Sequence, residues 1–505
     1  MFSPSRVTVN RCVRLTFFIS IPEFTFFHRY LMNWRGHPND MLSHSALVHC
    51  QPIPNPTPLP MPELNSHSPI TLIRGTFLDL VADPFQEPIA HSVRYIPDGL
   101  LVIENGIIQA FGHYTDLNST YGHLPITTYS GQLIVPGLID AHIHYPQSEM
   151  IAAYGEQLLE WLEKYTFPTE AKFQNPDHAR QIAAFCLDEL LRNGTTTAVI
   201  LPTIFPESVQ ILFEEAERRR MRVIAGQVLM SRNAPSYLVN DAPTALAETR
   251  EQIQHWHGRG RSLYAITPRF AATSTEEELK LAGQLRVEFP QVYIHTHLSE
   301  NRKELALIRE LFPHATDYLH VYEHHGLVGN RSIFAHCIHL SDSELQRFAQ
   351  SGAMIAYCPL SNLFLGSGLF KLHQAKSQPF HIPIGLATDV GGGTSFSLLK
   401  TMAAAYTIAQ LQEQTISPFQ MMYLATLGSA KALGLQEQLG NFQPGKEADF
   451  VVFDTQATPL MKLRNPHVPA QSLDELSSQL FALIILGDDR AVAATYVNGS
   501  LIYQQ

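Results

Sequence analysis

The sequence predicts an α/β fold: a (β/α)8 TIM-like barrel with a small β-sandwich domain built from both chain ends. Eight apolar, β-branched runs alternate with helix-like stretches in the middle of the chain, and hairpin-type segments lie at both ends. Reactive side chains come late in several of the runs. A doubly wound open sheet is the alternative, but the barrel is favoured because it collects its reactive groups at the carboxyl ends of several strands.

The composition sets limits on partners and compartment. The 505 residues carry a formal net charge of −11, which argues against nucleic acid or an anionic membrane as the main partner. Only 16% of residues are charged and 45% are apolar, so the chain can bury a large core. The five cysteines form no CxxC pair, which favours a reducing compartment and a cytoplasmic protein. No apolar run approaches the ~20 residues of a membrane span.

Residues 1–65 are interpreted as a disordered leader or as sequence upstream of the true start. Arginines precede a short apolar run at 15–21, which resembles a signal peptide, but a proline and a glutamate follow it directly. Residues 51–64 are rich in proline, which favours an extended linker. Met41 and Met61 are candidate starts, and a targeting segment is the alternative.

The two ends of the chain share a strand-and-hairpin pattern. Asn105-Gly106 lies between two apolar runs, and Asn498-Gly499 follows two more near the carboxyl terminus. We therefore expect one small β domain made of residues 66–135 and 436–505, which enclose the barrel at 136–435. Two unrelated β segments are the alternative.

The predicted barrel strands are the apolar runs at 138–144, 195–200, 222–230, 263–270, 292–298, 332–340, 353–359 and 384–389. A helix-like stretch after the first of them ends at Gly194, a typical stop signal. Another begins at Ser274 or Thr275, which can cap a helix.

The first predicted strand contains the HxH pair His142 and His144. Side chains alternate along a strand, so both imidazoles point to one face, while Ile143 points to the other. Two imidazoles directed into an apolar barrel indicate a metal site, since neutral imidazole suits zinc or iron. A chance pair in a chain with 24 histidines is the alternative for this motif alone.

Later strands add residues of the same kind. On the fifth strand His295 and His297 share a face, and His297 lies nearer the carboxyl end, with Glu300 just beyond it. The sixth strand carries His336 and His339, which alternation places on opposite faces, so only one can easily face the lumen.

Asp389 ends the eighth strand and is followed by three glycines. Three imidazoles and one carboxylate can hold a metal and leave room for a water molecule. Asp389 can accept the proton of that water, and Glu300 can act as general acid and base. The fourth strand has no lysine near its end to bridge a second metal, which favours a single ion.

These motifs resemble the amidohydrolase superfamily of metal-dependent hydrolases over roughly residues 70–503, and within it the members that deaminate guanine. The segments that carry the resemblance are PGLIDAHIHYPQ (136–147), LLEWLEKYTFPTE (158–170), TPRF (267–270), HLSEN (297–301), AHC (335–337), CPLSN (358–362) and ATDVGGG (387–393). LLEWLEKYTFPTE, TPRF and HLSEN carry the resemblance to the guanine-deaminating members.

The resemblance implies zinc-dependent hydrolysis of guanine to xanthine and ammonia, in purine catabolism, by a homodimer without a nucleic-acid or membrane partner. It implies one zinc ion per subunit. The implied ligands are His142, His144, His297 and Asp389.

The resemblance further implies that His336 assists near the metal-bound water, with Glu300 and Asp389 as the other catalytic groups. Gln147 and Arg269 would bond the polar edge of the purine, and Phe270 would pack on its ring. The implied substrate contacts also include His297, Glu300 and Asp389. Alternatives are iron, an aminohydrolase for a triazine, pterin or S-adenosylhomocysteine-type substrate, and a metal-free scaffold relative.

Overall fold

The structure is a computed structural model that describes residues 70–505, so the predicted leader lies outside the described residues. The strands are β1 (Thr71–Leu80), β2 (Val93–Glu104), β3 (Ile107–His113), β4 (Ile126–Pro136), β5 (Leu138–His144), β6 (Thr195–Leu201), β7 (Arg222–Ala225), β8 (Val228–Leu229), β9 (Ser262–Pro268), β10 (Tyr293–Leu298), β11 (Ser332–His336), β12 (Met354–Tyr357), β13 (Ile384–Leu386), β14 (Phe450–Phe453), β15 (Val492–Val497) and β16 (Ser500–Gln504).

The α-helices are α1 (Ile89–Ser92), α2 (Tyr114–Tyr121), α3 (Leu158–Trp161), α4 (Phe167–Glu170), α5 (Pro176–Arg192), α6 (Pro206–Arg218), α7 (Ala242–Trp256), α8 (Glu276–Glu288), α9 (Arg302–Leu311), α10 (Tyr318–His324), α11 (Asp342–Ser351), α12 (Pro359–Phe364), α13 (Leu372–Lys376), α14 (Leu398–Leu411), α15 (Pro418–Leu424), α16 (Leu427–Ala432), α17 (Pro459–Arg464) and α18 (Leu473–Leu486). Short 3-10 turns lie at Tyr145–Met150, Ala171–Gln174, Ser236–Leu238, Ala271–Thr273 and Asp489–Ala491, and a π-helical turn at Leu162–Thr166.

Eight parallel strands form a nearly closed barrel in the order β5, β6, β7, β9, β10, β11, β12 and β13. Hydrogen bonds join the segment that follows the last strand to the first strand. The N–H of Thr388 donates to Oδ1 of Asp140 (3.0 Å), and the N–H of Asp389 donates to the carbonyl of His142 (2.9 Å). The predicted (β/α)8 barrel is confirmed.

Several predicted strands are shorter than expected, among them those at 222–230, 332–340, 353–359 and 384–389. Local features account for the first two. The run 222–230 is interrupted at Gly226, where a Cβ would lie 1.7 Å from the carbonyl oxygen of Ala265. The next N–H, that of Gln227, donates to the Tyr264 hydroxyl instead of a strand carbonyl (3.0 Å). The sixth strand ends at His336 rather than residue 340, because His336 and Cys337 have φ of +71° and +52°, which extended strands do not accommodate.

The helix boundaries follow the predicted signals. Gly194, just beyond α5, has φ of +81°, a conformation that glycine adopts without steric penalty. Helix α8 is capped by Thr275 and not by Ser274, since the Thr275 hydroxyl accepts the N–H of Glu278 at 3.2 Å.

Both chain ends contribute to a second sheet, as predicted. Its seven strands are hydrogen-bonded in the order β16, β15, β14, β4, β1, β2 and β3, and the antiparallel pair β4–β14 joins the two ends. Both expected hairpin turns are present: φ is positive at Asn105 and Gly106 and at Asn498 and Gly499. Positive φ at both central residues is what the tight type I′ turn requires, and Asn-Gly tolerates it best.

The barrel is a packed core. One cluster of buried side chains comes from the barrel strands: Ile139, Ala141, Val199, Ile224, Ala265, Tyr293, Ile333, Ala335, Met354 and Ala356. Polar side chains replace this apolar packing at the carboxyl ends of the strands, which is where barrel enzymes carry their sites. Among residues 70–505, no helix has the length and apolar character needed to cross a membrane.

Candidate active site

The four predicted metal ligands lie together at the carboxyl ends of the first, fifth and eighth barrel strands. Nε2 of His142 and Nε2 of His144 are 3.2 Å and 3.5 Å from Oδ1 of Asp389. Nε2 of His144 is 3.2 Å from Nε2 of His297. All four side chains are at most 9% exposed. The HxH alternation thus brings both imidazoles to one face, where His297 and Asp389 meet them.

His336 and Glu300 border the same group. Nε2 of His336 lies 3.6 Å from Oδ2 of Asp389 and 3.4 Å from Oε2 of Glu300. Nδ1 of His336 is 2.9 Å from Oδ1 of Asn362, which orients the ring. His339 lies elsewhere, with its Nε2 2.9 Å from the carbonyl of Ser367. Of the two histidines predicted for the sixth strand, only His336 therefore borders the ligand group.

The backbone is strained where two of these side chains are attached. His336 has φ of +71° and Asp389 has φ of +51°. Residues other than glycine adopt this region at a cost of about 1–3 kcal/mol and retain it where the surroundings enforce it. This backbone conformation directs the side chains of His336 and Asp389 toward the other residues of the site.

His295 belongs to the site although it was not predicted as a functional residue. It lies on the same face of β10 as His297, one level deeper, and its Nε2 is 2.7 Å from Nδ1 of His142. It is fully buried. A hydrogen bond of this kind fixes which nitrogen of His142 is free to bind a metal. The shared parity of His295 and His297 was the sequence signal for this contact.

The other predicted substrate residues line one cleft next to the histidines. The cleft encloses about 400 Å³ of space, part of which is open to solvent. Its walls are formed by His144, Gln147, Leu158, Trp161, Leu162, Arg269, Phe270, His297, Glu300, His336, Leu365, Asp389 and Gly392.

One wall of the cleft is polar and buried. Gln147 and Arg269 are 2% and 3% exposed. Glu170 lies behind them, because its two carboxylate oxygens accept from Nε2 of Gln147 (3.1 Å) and from Nη1 of Arg269 (2.6 Å). Glu170 was not predicted as a site residue, although it ends the segment LLEWLEKYTFPTE, which carries part of the family resemblance.

Burial controls the protonation of the histidines. It lowers the pKa of His142, His144 and His297, so these rings are neutral, the form in which imidazole binds metals. Burial also disfavours the charged form of His336, but the carboxylates of Glu300 and Asp389 outweigh it and raise its pKa.

The two carboxyl groups of the site are shifted in opposite directions. Burial raises the pKa of Glu300 to about 7, against the attraction of His336. Burial also acts against ionised Asp389, but close contact with His142 outweighs it and holds the pKa of this carboxyl below its usual range. One carboxyl can therefore exchange a proton near neutral pH while the other stays ionised.

The donor set fits a metal ion. His142, His144 and His297 offer nitrogen atoms within 4.8 Å of one another, and His142, His336 and Asp389 form a second such group. Within residues 70–505, the buried Nε2 of His142 has no hydrogen-bond partner, although Oδ1 of Asp389 lies 3.2 Å from it. Buried polar atoms are rarely left unpaired, so this nitrogen indicates a bound partner. Imidazole and carboxylate ligands suit zinc or a similar transition metal.

Residues 133–502 match the amidohydrolase family. The chain belongs to the amidohydrolase family. This amidohydrolase is 47% identical over 437 residues to the guanine deaminase of Escherichia coli K12, covering 86% of this chain and 98% of that protein.

Solved structures show the same relationship. The structure of E. coli guanine deaminase matches with a TM-score of 0.83 and 47% identity, over 86% of the amidohydrolase chain and 100% of the other. A guanine deaminase from C. acetobutylicum with guanine bound in its active site matches with a TM-score of 0.77 and 29% identity, over 86% and 100% of the two chains.

Proposed function

We propose that this amidohydrolase hydrolyses guanine to xanthine and ammonia, a step of purine catabolism. One observation carries the proposal: a single cleft joins a cluster of side chains that can bind a metal to a buried wall of amide and guanidinium groups. The identity of 47% to a guanine deaminase over most of both chains supports the same substrate. It does not favour triazine, pterin or S-adenosylhomocysteine-type substrates.

We propose that one zinc ion is held by His142, His144, His297 and Asp389. When bound, the ion would lower the pKa of a water molecule to about 7 and so supply a nucleophile at neutral pH. The neutral state of the three imidazoles and the ionised state of Asp389 are the forms that ligation requires.

Three side chains are proposed to move or stabilise protons. Asp389 takes the proton of the attacking water, which its position between His142 and His336 allows. Glu300 donates a proton to the amino group that leaves the purine C2 atom, because a pKa of about 7 makes both of its protonation states accessible. His336 lies 3.4 Å from Glu300 and assists beside the water.

Gln147, Arg269 and Phe270 are proposed to bind the purine, together with His297, Glu300 and Asp389 at its reacting end. The guanidinium of Arg269 presents a rigid set of donors to a carbonyl oxygen. The ring of Phe270 lies in the cleft wall, where an aromatic face can pack on a base.

We further propose a cytoplasmic homodimer with the domain limits 66–135 plus 436–505 and 136–435. The cysteines of the described chain are free and buried, which is compatible with a reducing compartment.

The decisive experiment is ammonia release from guanine by purified protein, with and without a metal chelator. We expect release at an ordinary enzyme rate, of order 1–10³ per second, which the chelator abolishes and zinc restores. A metal-containing sample that is inactive on guanine would refute guanine as the substrate, but not the assignment as a metal-dependent hydrolase. If the purified protein contains no metal and stays inactive after zinc is added, the result would support the alternative of a metal-free scaffold protein.

A further inference from the structure

The segment LLEWLEKYTFPTE has a structural feature that metal chemistry does not explain. It forms α3 and α4, and between them the helix widens into a π-turn at Leu162–Thr166, where the N–H of Phe167 donates to the carbonyl of Leu162 five residues earlier. Turns of this type often occur at functional sites. The cause lies in the sequence, because Pro168 has no N–H to donate to the preceding turn.

The π-turn changes the direction in which the following residues point. Before it, Leu158, Trp161 and Leu162 line the cleft at the spacing of one helical face. The additional residue in the turn rotates the next helical segment, so that Phe167 and Glu170 lie on its side toward Arg269. The ring of Phe167 lies 5.8 Å from the guanidinium carbon of Arg269, and Glu170 contacts Arg269 directly. The widened turn therefore places a carboxylate behind the polar wall.

Glu170 determines how Gln147 presents its amide. A carboxylate can only accept hydrogen bonds, so the amide nitrogen of Gln147 must face it, as the distance of 3.1 Å from Nε2 to Oε1 shows. The amide oxygen points the other way. Gly391 lies so close to this oxygen that a Cβ there would be 2.0 Å from it. Gln147 is thus held between Glu170 and the glycine-rich loop in one orientation.

Glu170 also balances the charge of Arg269. Both side chains are buried, and the pair is joined at 2.6 Å through a single N–H of the guanidinium. A buried cation without a partner would be strongly disfavoured and would attract anions. With the carboxylate behind it, Arg269 offers its other N–H groups to the cleft without net charge. Such a wall suits a neutral ring that carries a carbonyl oxygen.

We propose that Glu170 is the positioning residue that sets substrate specificity, by aligning Gln147 and neutralising Arg269 for a neutral oxopurine. It touches neither the metal-binding side chains nor the reacting atoms and acts through these two residues. The proposal rests on the proposed function, since it concerns the oxygen-bearing edge of guanine.

The test compares Glu170→Gln with the wild type on guanine and on 2-aminopurine, which has the same amino group but lacks the carbonyl oxygen. Glutamine has nearly the same size as glutamate. Its NH2 group, however, would face one of the two groups that donate to Glu170, which are Nε2 of Gln147 and Nη1 of Arg269. We expect KM for guanine to rise about 10- to 100-fold, the loss typical of one or two charged hydrogen bonds. We expect kcat for guanine and the metal content to change less than about threefold. For 2-aminopurine we expect an equally small change in kcat/KM, or in the inhibition constant if this compound is not turned over.

Two further variants separate positioning from folding. Glu215→Gln is the matched control, because Glu215 is equally buried and ion-paired, on α6 outside the cleft, and should leave KM unchanged. Glu170→Asp keeps the charge but is too short to reach both partners, so it should raise KM by an intermediate factor. Circular dichroism shows whether each variant folds. If Glu170→Gln does not fold, Glu170→Asp provides the test in its place.

The outcomes are distinct. Three results would overturn the role of Glu170 but leave the proposed function intact. They are an equal loss of kcat/KM on both purines, a fall in kcat at constant KM for guanine, and an unchanged KM for guanine in either Glu170 variant. In an Arg269→Met background, Glu170→Gln should raise KM by a smaller factor than in the wild type, because only the contact with Gln147 remains to be lost. An undiminished additional rise in KM would also overturn the role of Glu170. A metal-loaded wild type that does not act on guanine would overturn the proposed function and this proposal together.

Discussion

Replacing Glu300 by glutamine should remove proton transfer while leaving the structure of the site in place. The side chain is buried, its Oε1 accepts from the Ser367 hydroxyl at 3.2 Å, and its Oε2 lies 3.4 Å from His336. The amide of glutamine has the same shape and can still accept from Ser367. It cannot release a proton to the leaving amine, so the substitution isolates this one chemical role.

General acid–base catalysis by a positioned side chain typically contributes 10²- to 10⁴-fold, which corresponds to about 3–5 kcal/mol of barrier. We therefore expect Glu300→Gln to lower kcat by about that factor. KM should change much less, because Glu300 is at the reacting end and the polar wall is intact. The metal content should equal that of the wild type, since Glu300 is outside the proposed ligand set.

Steady-state ammonia release from guanine and metal analysis of the same sample measure these quantities. Glu278→Gln is the control, because Glu278 is also a buried glutamate whose pKa burial raises to about 7, but it lies on α8 away from the cleft. A kcat for Glu300→Gln within about threefold of the wild type would show that Glu300 does not carry the proton. An equal loss in Glu278→Gln would show that the effect is structural.

Two other predictions concern buried contacts. His295→Phe removes the 2.7 Å partner of His142 and should weaken zinc binding about 10- to 100-fold in a competition with a chelator, whereas a change below threefold would refute this. Burial raises the pKa of Glu278 from 4.5 in the unfolded chain to about 7 in the folded protein. The folded state therefore binds this proton more tightly, and the free energy of unfolding falls as the pH rises from about 4.5 to 7. Glu278→Gln should therefore raise the unfolding free energy in urea by about 3 kcal/mol at pH 8 and by less than about 1 kcal/mol at pH 5, and a pH-independent difference would contradict it.

Local pattern was sufficient for much of the fold. The alternation of a strand places His142 and His144 on one side whatever the partner strands are. Asn-Gly predicts a tight hairpin turn because both residues tolerate positive φ, and both predicted turns occur. The ends of the third and sixth strands could not be predicted, because they depend on a close approach of Gly226 to a neighbouring strand and on strained backbone at His336.

The candidate site divides in the same way. Residue types and strand ends indicated the histidines, Glu300 and Asp389, and the resemblance indicated Gln147 and Arg269, all of which the structure brings to one cleft.

Glu170 and His295 acquire their partners only in the tertiary structure. The π-turn shifts the face of the helix, so regular helical periodicity cannot place Glu170 behind Gln147 and Arg269. His295 meets His142 because the closed barrel brings β5 and β10 across the lumen. Periodicity along the chain determines which face a side chain occupies, whereas the contact it makes across the barrel depends on closure, register and packing of segments far apart in sequence.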